Sequence, residues 1–334
     1  GRYLYYAGRP NRYFNNCFSG DTKVLTKDGM KALASIVDET VQIFSPVDGE
    51  YYPAKIHNHG EQVLNKITFV PIRGRSSIEY VVKATRNHHW LLTNGSDTYD
   101  LRVGDVVPAN TFSSKETNAG FVHGFVFGDG NEKGQVRLCC AKDRKLLDKL
   151  TTVEHTLTYP KFSKGDPMLY FKNNDTNWKE LPDNNRSNEY IAGFIKGWLA
   201  ADSSETAGNK LCCVNREHLE WFRDNAVLAG IVITGELRKQ VRDVTLGAYE
   251  YKDHTIYIQN YSYGEDFDGF KVKSIEHYGV EPVYCPYEPV HNRIVIEHGI
   301  DTFNCFLLRA EEDTREEWSN LLWRASSCLL TGGG

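Results

Sequence analysis

From Phe18 to about Asn110 the chain passes between apolar and polar positions in short runs broken by turn residues. Lys23-Val24-Leu25-Thr26 alternates as a strand does, Lys27-Asp28-Gly29 supplies the hairpin turn behind it, and short strands continue to Asn110, the texture of an all-β unit. Residues 111–118 are polar and read as a linker. At Gly120 the period changes. Small residues recur four apart at 120, 124 and 128, and again at 193, 197 and 201, within two apolar runs that end in Asp129 and Asp202. Four-residue spacing puts them on one face of a helix. Side chains this small let two such helices meet backbone to backbone.

The two runs are copies. Gly120-Phe121-Val122-His123-Gly124 matches Gly193-Phe194-Ile195-Lys196-Gly197, and the same offset of 73 pairs Asp129 with Asp202, Glu132 with Glu205, Arg137 with Lys210, Leu138 with Leu211 and Cys139-Cys140 with Cys212-Cys213. A repeat held in register this far marks a duplicated unit. If the helices pack closely, Asp129 and Asp202 come together. Adjacent carboxylates repel unless a cation lies between them, and Mg²⁺ suits such oxygen ligands and can activate water against a phosphodiester.

Composition narrows the classes. At 334 residues, 40% hydrophobic and 25% charged, the chain has the make-up of an ordinary globular protein of two or three domains. The net charge of −5 gives no general attraction for nucleic acid, so DNA binding has to come from local patches. Arg137, Lys210, Arg238, Lys239 and Arg242 are the candidates for a DNA face. No apolar run approaches the ~20 residues of a membrane span, so no membrane partner is expected. Of the eight cysteines, the two Cys-Cys pairs lack zinc-ligand spacing and read as reduced thiols in a cytosolic protein, and the cytoplasm of a prokaryotic or phage-infected cell is the expected location. No signal peptide opens the chain, and Gly1 in place of Met suggests a piece of something longer.

The ends of the chain carry a second chemistry. Asn16-Cys17-Phe18 near the start returns as Asn304-Cys305-Phe306 near the end. A cysteine thiol can attack the carbonyl before it and turn an amide into a thioester, and a second cysteine can take over the acyl group. An asparagine can cyclise onto its own carbonyl carbon and cut the chain after itself. Cys17, Asn304 and Cys305 thus form a self-excision set, and His88 is a candidate proton donor for the departing nitrogen.

These residues carry a resemblance. Cys17 with Ser19-Gly20-Asp21-Thr22, Thr85-x-Asn87-His88 and Leu101-x-x-Gly104-Asp105 resemble the N-terminal motifs of inteins. Val272-Lys273-Ser274-Ile275-Glu276, Pro282-Val283-Tyr284-Cys285, His291 and Asn304-Cys305 resemble the C-terminal ones. The resemblance implies an all-β horseshoe (Hint) splicing domain from 17–110 and 266–304. It also implies roles for Thr85, Asn87 and His88 in activating the first bond, for Cys285 as a helper, and for His291 as proton donor to Asn304. Most inteins have His before the terminal Asn, whereas this chain has Phe303, so slow cyclisation is expected. The duplicated segment, 111–265, resembles the two-motif LAGLIDADG homing endonucleases, which implies two αββαββα halves, double-stranded DNA as partner and Mg²⁺ between Asp129 and Asp202. The second copy has Ser203 where Gly is usual. The alternative is a splicing element whose nuclease is inactive and only binds DNA.

The flanks, 1–16 and 305–334, are aromatic-basic and then acidic-amphipathic, with a helix expected over 309–318. Joined through Asn16-Cys305 they resemble ribonucleotide reductase of the adenosylcobalamin-dependent class, where Cys305 would belong to the redox pair. They would serve here as exteins, the substrate of splicing, and are too short to be active as a reductase.

Overall fold

A computed structural model describes residues 17–72, 78–138, 141–159, 166–172, 176–183, 186–203, 209–246, 249–288 and 290–304, with 314–316, 319 and 323. The expectations for 1–16, for Cys305 and most of 305–334, for Cys139-Cys140 and for Glu205 lie outside the described residues. No described helix is long and apolar enough to cross a membrane. The chain divides into two compact units. One is drawn from Gly1–Ile72, Glu79–Ala109 and Asp268–Gly334, the other from Arg73–Ile78 and Asn110–Phe267. The class is mixed, as expected: the first unit is β-rich and the second is α+β.

The first unit is a ten-stranded antiparallel sheet running, edge to edge, Ile300–Phe303, Arg293–Ile296, Lys23–Thr26, Thr40–Phe44, Tyr51–Pro71, Tyr80–Thr85, Phe18–Ser19, Phe270–Tyr287 and Val106–Val107, with Gly29–Ala32 added on Lys23–Thr26. Thr26 pairs with Gly29 across Lys27-Asp28, and Gly29 sits at φ +91°, a conformation that glycine adopts without strain. Two long strands, Tyr51–Pro71 and Phe270–Tyr287, pair from Phe270↔Pro71 to Tyr287↔Lys55 and join the two ends of the unit. Phe18, Phe69, Trp90 and Phe270 are fully or nearly fully buried at its centre, each burial contributing about 1.5–3 kcal/mol.

The Leu101-x-x-Gly104-Asp105 stretch is a tight turn. The Asp105 carboxylate accepts from the Arg102 N–H at 2.8 Å, and Gly104 sits at φ +101° and donates to the Val272 carbonyl at 2.9 Å. A side chain at Gly104 would force a left-handed backbone on an L-residue, which explains the glycine.

The second unit is built around two helices, Asn118–Asp129 and Asn188–Asp202, capped at their N-termini by the hydroxyls of Thr117 and Ser187. The glycine spacing has the meaning expected of it. A Cβ on Gly124 would lie 1.9 Å from the Phe194 carbonyl oxygen, and one on Gly197 would lie 2.0 Å from the Phe121 carbonyl oxygen. The two backbones therefore touch. The first helix is followed by a three-stranded sheet, Gln135–Arg137, Met168–Phe171 and His155–Thr158. The second is followed by a four-stranded sheet of Lys210–Cys213, Tyr249–Tyr263, Ile231–Ile233 and Arg238–Leu246, and by the helix Arg216–Asn225. Leu138 and Leu211, equivalent in the repeat, are both fully buried.

Candidate functional site: a cysteine centre and a carboxylate pair

Strand register builds the first centre. Phe18 pairs with Tyr284 on one side and with Ala84 on the other. One step back in the same register sets Cys17 opposite Cys285 and Thr85. Cys17, Leu64, Val283 and Cys285 form one buried cluster. The Cys17 N–H donates to Thr85 Oγ1 at 3.2 Å, and the Thr85 N–H returns a bond to the Cys17 carbonyl at 2.9 Å. His88 follows on the turn after Thr85, donating its N–H to the Thr85 carbonyl at 3.0 Å. Its ring is fully buried, 4.3 Å from Phe18 and 4.6 Å from Trp90. Asn87 is half-buried on the same turn.

The far end of the chain reaches this centre through Thr302. His88 Nε2 lies 2.9 Å from Thr302 Oγ1, and Thr302 Oγ1 donates to the His89 carbonyl at 3.4 Å. Three hydrogen-bonded links thus run from Cys17 through Thr85 and His88 to Thr302, two residues before Asn304.

Asn304 is 2% exposed at the end of the hairpin made by Arg293–Ile296 and Ile300–Phe303. Its N–H donates to the Asn292 carbonyl at 3.0 Å, and its Nδ2 donates to the Glu288 carbonyl at 3.1 Å. The ring of His291 meets Ser45 and Asp48. Its Nδ1 is 3.2 Å from Ser45 Oγ and its Nε2 is 3.8 Å from Asp48. Phe303 stacks on His89 at 4.1 Å with 10° between the rings, and Tyr99 stacks on His89 at 4.1 Å with 8°. Burial lowers the pKa of His89, against the opposite pull of its partner Asp97.

The second centre is the carboxylate pair at the two helix ends. A Cβ on Gly128 would lie 3.1 Å from Asp202 Oδ2, so the Asp202 carboxylate stands beside the residue that precedes Asp129. Each Asp keeps an open side. The protein behind Asp129, and then the charges of Asp202 and Asp143, push its pKa up to about 6. Burial also raises that of Asp202, although Trp198 Nε1 donates to its carboxylate at 3.0 Å and Lys179 and Lys142 favour its charge. Both lysines sit on helix ends. Lys179 donates to the carbonyls of Val126, Phe127 and Gly128, and Lys142 donates to that of Ser203 at 3.3 Å. Ser203 has φ −78°, open to any residue, so Ser in place of Gly imposes no strain there. Among the described residues no group of three His, Cys, Asp or Glu is gathered to hold a metal ion. Two mutually repelling carboxylates with raised pKa values fit one divalent cation completed by water and phosphate oxygens.

Of the candidate DNA contacts, Arg238 and Arg242 lie on one face of their sheet with Lys210, whereas Lys239 falls on the other face by register. All three of the Arg238–Leu246 strand candidates are exposed. Arg238 reaches Asn260 at 3.2 Å, and Arg137 lies 3.7 Å from Asp166.

No protein-family model matches the chain, and no curated protein matches it. Among solved structures it is similar to the Ssp DnaB mini-intein variant M86, at 11% identity over 87% of this chain and 95% of that one, with a TM-score of 0.31. A DnaB intein from Synechocystis sp. PCC 6803 matches at 10% identity over 87% and 99%, with a TM-score of 0.33. I-DmoI in complex with DNA and Mn matches at 14% identity over 43% of this chain and 89% of that one, with a TM-score of 0.27. These likenesses are remote, and the chemistry is read from the two centres themselves.

Several contacts at these centres have no signal in the sequence. Ser45, Glu288, Asn292, Thr302 and the His89–Tyr99 stack are brought in by pairings across up to 246 positions. Lys142, in the short helix Ala141–Arg144, and Lys179, in a turn, lie outside the duplicated motif.

Proposed function

We propose that 17–304 is a self-excising intein and that 111–265 within it is a LAGLIDADG-type homing endonuclease. The observation that carries the splicing reading is the hydrogen-bonded path from Cys17 through Thr85 and His88 to Thr302, which joins the two chain ends at one buried centre. In this reading Cys17 Sγ attacks the carbonyl carbon of residue 16. The thiol gives up its proton, the S–C bond forms, the C–N bond breaks, and His88 delivers a proton to the nitrogen of Cys17, so that the net proton passes from sulfur to nitrogen. Thr85 and Asn87 hold that peptide bond, and Cys285, packed in the cluster with Cys17, helps pass the acyl group to Cys305. Asn304 then cyclises, with His291, backed by Asp48, as proton source. The resulting thioester rearranges to an amide that joins the flanks.

The host is a ribonucleotide reductase of the adenosylcobalamin-dependent class, active only once 1–16 and 305–334 are joined. In the nuclease, Asp129 and Asp202 hold Mg²⁺, which when bound supplies an activated water for phosphodiester hydrolysis. Arg238, Arg242, Lys210 and Arg137 face the DNA backbone.

The splicing test is a mass-spectrometric time course of the full chain in reductant. Wild type yields the excised and ligated products. Cys17→Ala abolishes ligation, and Asn304→Ala forms the thioester without release. Ligated product from either variant refutes the mechanism. The nuclease test is cleavage of intein-free host DNA with Mg²⁺. Asp129→Asn and Asp202→Asn bind but do not cut, and binding without cutting by wild type would establish the inactive alternative.

A further inference from the structure

Glu288 is 0% exposed, yet it carries a carboxylate. Its Oε1 accepts from the Val290 N–H at 2.6 Å and its Oε2 from the His291 N–H at 2.9 Å. Taking a carboxylate out of water is costly, and two charge-assisted bonds to backbone amides offset that cost. A shorter Asn or Ser closes such a turn with less desolvation. What this turn adds is the direction of two carbonyls. The carbonyl of Glu288 itself takes Asn304 Nδ2 at 3.1 Å, and that of Asn292 takes the Asn304 N–H at 3.0 Å. Asn292 reaches this geometry in the left-handed region, at φ +55°, which Asn tolerates better than most residues.

The grip decides which atom of the Asn304 side chain faces which way. A carbonyl accepts only from a donor, so the amide nitrogen, not the oxygen, is turned to Glu288. Oδ1 has no partner among the described residues although it is buried. The side chain is therefore anchored through its nucleophilic nitrogen alone. In cyclisation Nδ2 forms a bond to the main-chain carbonyl carbon of Asn304 and closes a five-membered succinimide. The 304–305 C–N bond breaks, Nδ2 gives up one proton and the departing nitrogen gains one. An acceptor on Nδ2–H draws that proton away and leaves the nitrogen richer in electrons, while the second carbonyl fixes the backbone it must attack.

We propose that Glu288 is the positioning residue of the release step: its buried carboxylate holds the backbone at Val290 and His291 so that the carbonyls of Glu288 and Asn292 hold Asn304 for attack by Nδ2. This rests on the splicing reading above.

The experiment follows two cleavages in one sample of the full chain. Thiol-induced cleavage before Cys17 reports the first centre, and release after Asn304 reports the second. A 1 Å misplacement of reacting groups costs on the order of 10²-fold, so Glu288→Ala is expected to slow release about 100-fold while thiol cleavage stays within about twofold. Glu288→Gln, which keeps the length and one accepting oxygen, should recover about tenfold of that loss. Unchanged release in Glu288→Ala overturns the proposal. Equal loss of both cleavages in Glu288→Gln also overturns it, because the residue would then hold the fold and not the step. Wild type that shows neither cleavage refutes the splicing reading and this proposal with it; normal wild-type chemistry with indifferent variants refutes this proposal alone.

Discussion

Gly124→Ala tests whether the second unit depends on direct backbone contact between its two helices. The new Cβ would sit 1.9 Å from the Phe194 carbonyl oxygen, 2.7 Å from its carbon and 2.8 Å from the Trp198 nitrogen. All three are backbone atoms, so no side-chain rotation relieves the clash. Cβ contacts essentially never fall under 3.0 Å, so the helices must part by about 1 Å. Overpacking of this kind costs up to about 3 kcal/mol. Replacing Gly by Ala inside a helix returns about 1 kcal/mol, which leaves a loss of about 2 kcal/mol. Native-state hydrogen exchange reads this unit separately from the other. The buried amides of Phe125 and Phe194 should exchange about 30-fold faster, the factor that 2 kcal/mol represents. Adding Gly197→Ala, whose Cβ meets the Phe121 carbonyl from the opposite helix, should cost less than it does alone, because the helices are already apart. Exchange in Gly124→Ala at or below the wild-type rate would refute the close packing.

Two further outcomes follow from the centres. Phe303→His places a donor beside the bond that Asn304 breaks, and one such donor is worth about 10²–10³-fold in rate. Release on a gel time course should quicken by at least tenfold, provided the ring keeps its stack on His89, and an unchanged rate means that an earlier step limits. For Asp129 the folded pKa of about 6 lies above the ordinary 3.8, so the folded state holds the proton more tightly and stability falls as pH rises through that window. Asp129→Asn should therefore melt with wild type near pH 4 and above it at pH 8, by less than about 1 kcal/mol because the open side is screened. Equal melting at pH 8 without metal would refute the repulsion.

The parts of this molecule legible in the sequence are those written in local spacing. Glycines four apart mark a helix face, Lys27-Asp28-Gly29 marks a hairpin, and a constant offset of 73 marks duplication. Each pattern reflects a constraint acting over one or two turns of chain. Glu288 carries no such pattern, since a buried carboxylate and an exposed one are the same letter. The Phe303–His89–Tyr99 stack is equally silent, because it depends on two hairpins meeting across 214 positions. Lys239 shows the limit in small: beside Arg238 in sequence, it faces the other side of the sheet.

The pairing of Phe18 with Tyr284 also has a meaning in time. The walls of the Cys17 pocket are Leu64, Val283 and Cys285, and two of them are synthesised long after the thiol they enclose. At about 5–20 residues per second, roughly 15–50 s pass between the birth of Cys17 and that of Cys285. Throughout that interval the nascent chain carries a cysteine without its surroundings, and the contact of greatest sequence separation is among the last that can form. The order of translation thus works as a delay line. A ribosome that stalls before Val283 leaves a chain whose thiol has no Val283 and no Cys285 to enclose it, and the centre first becomes whole when the closing strand has left the exit tunnel.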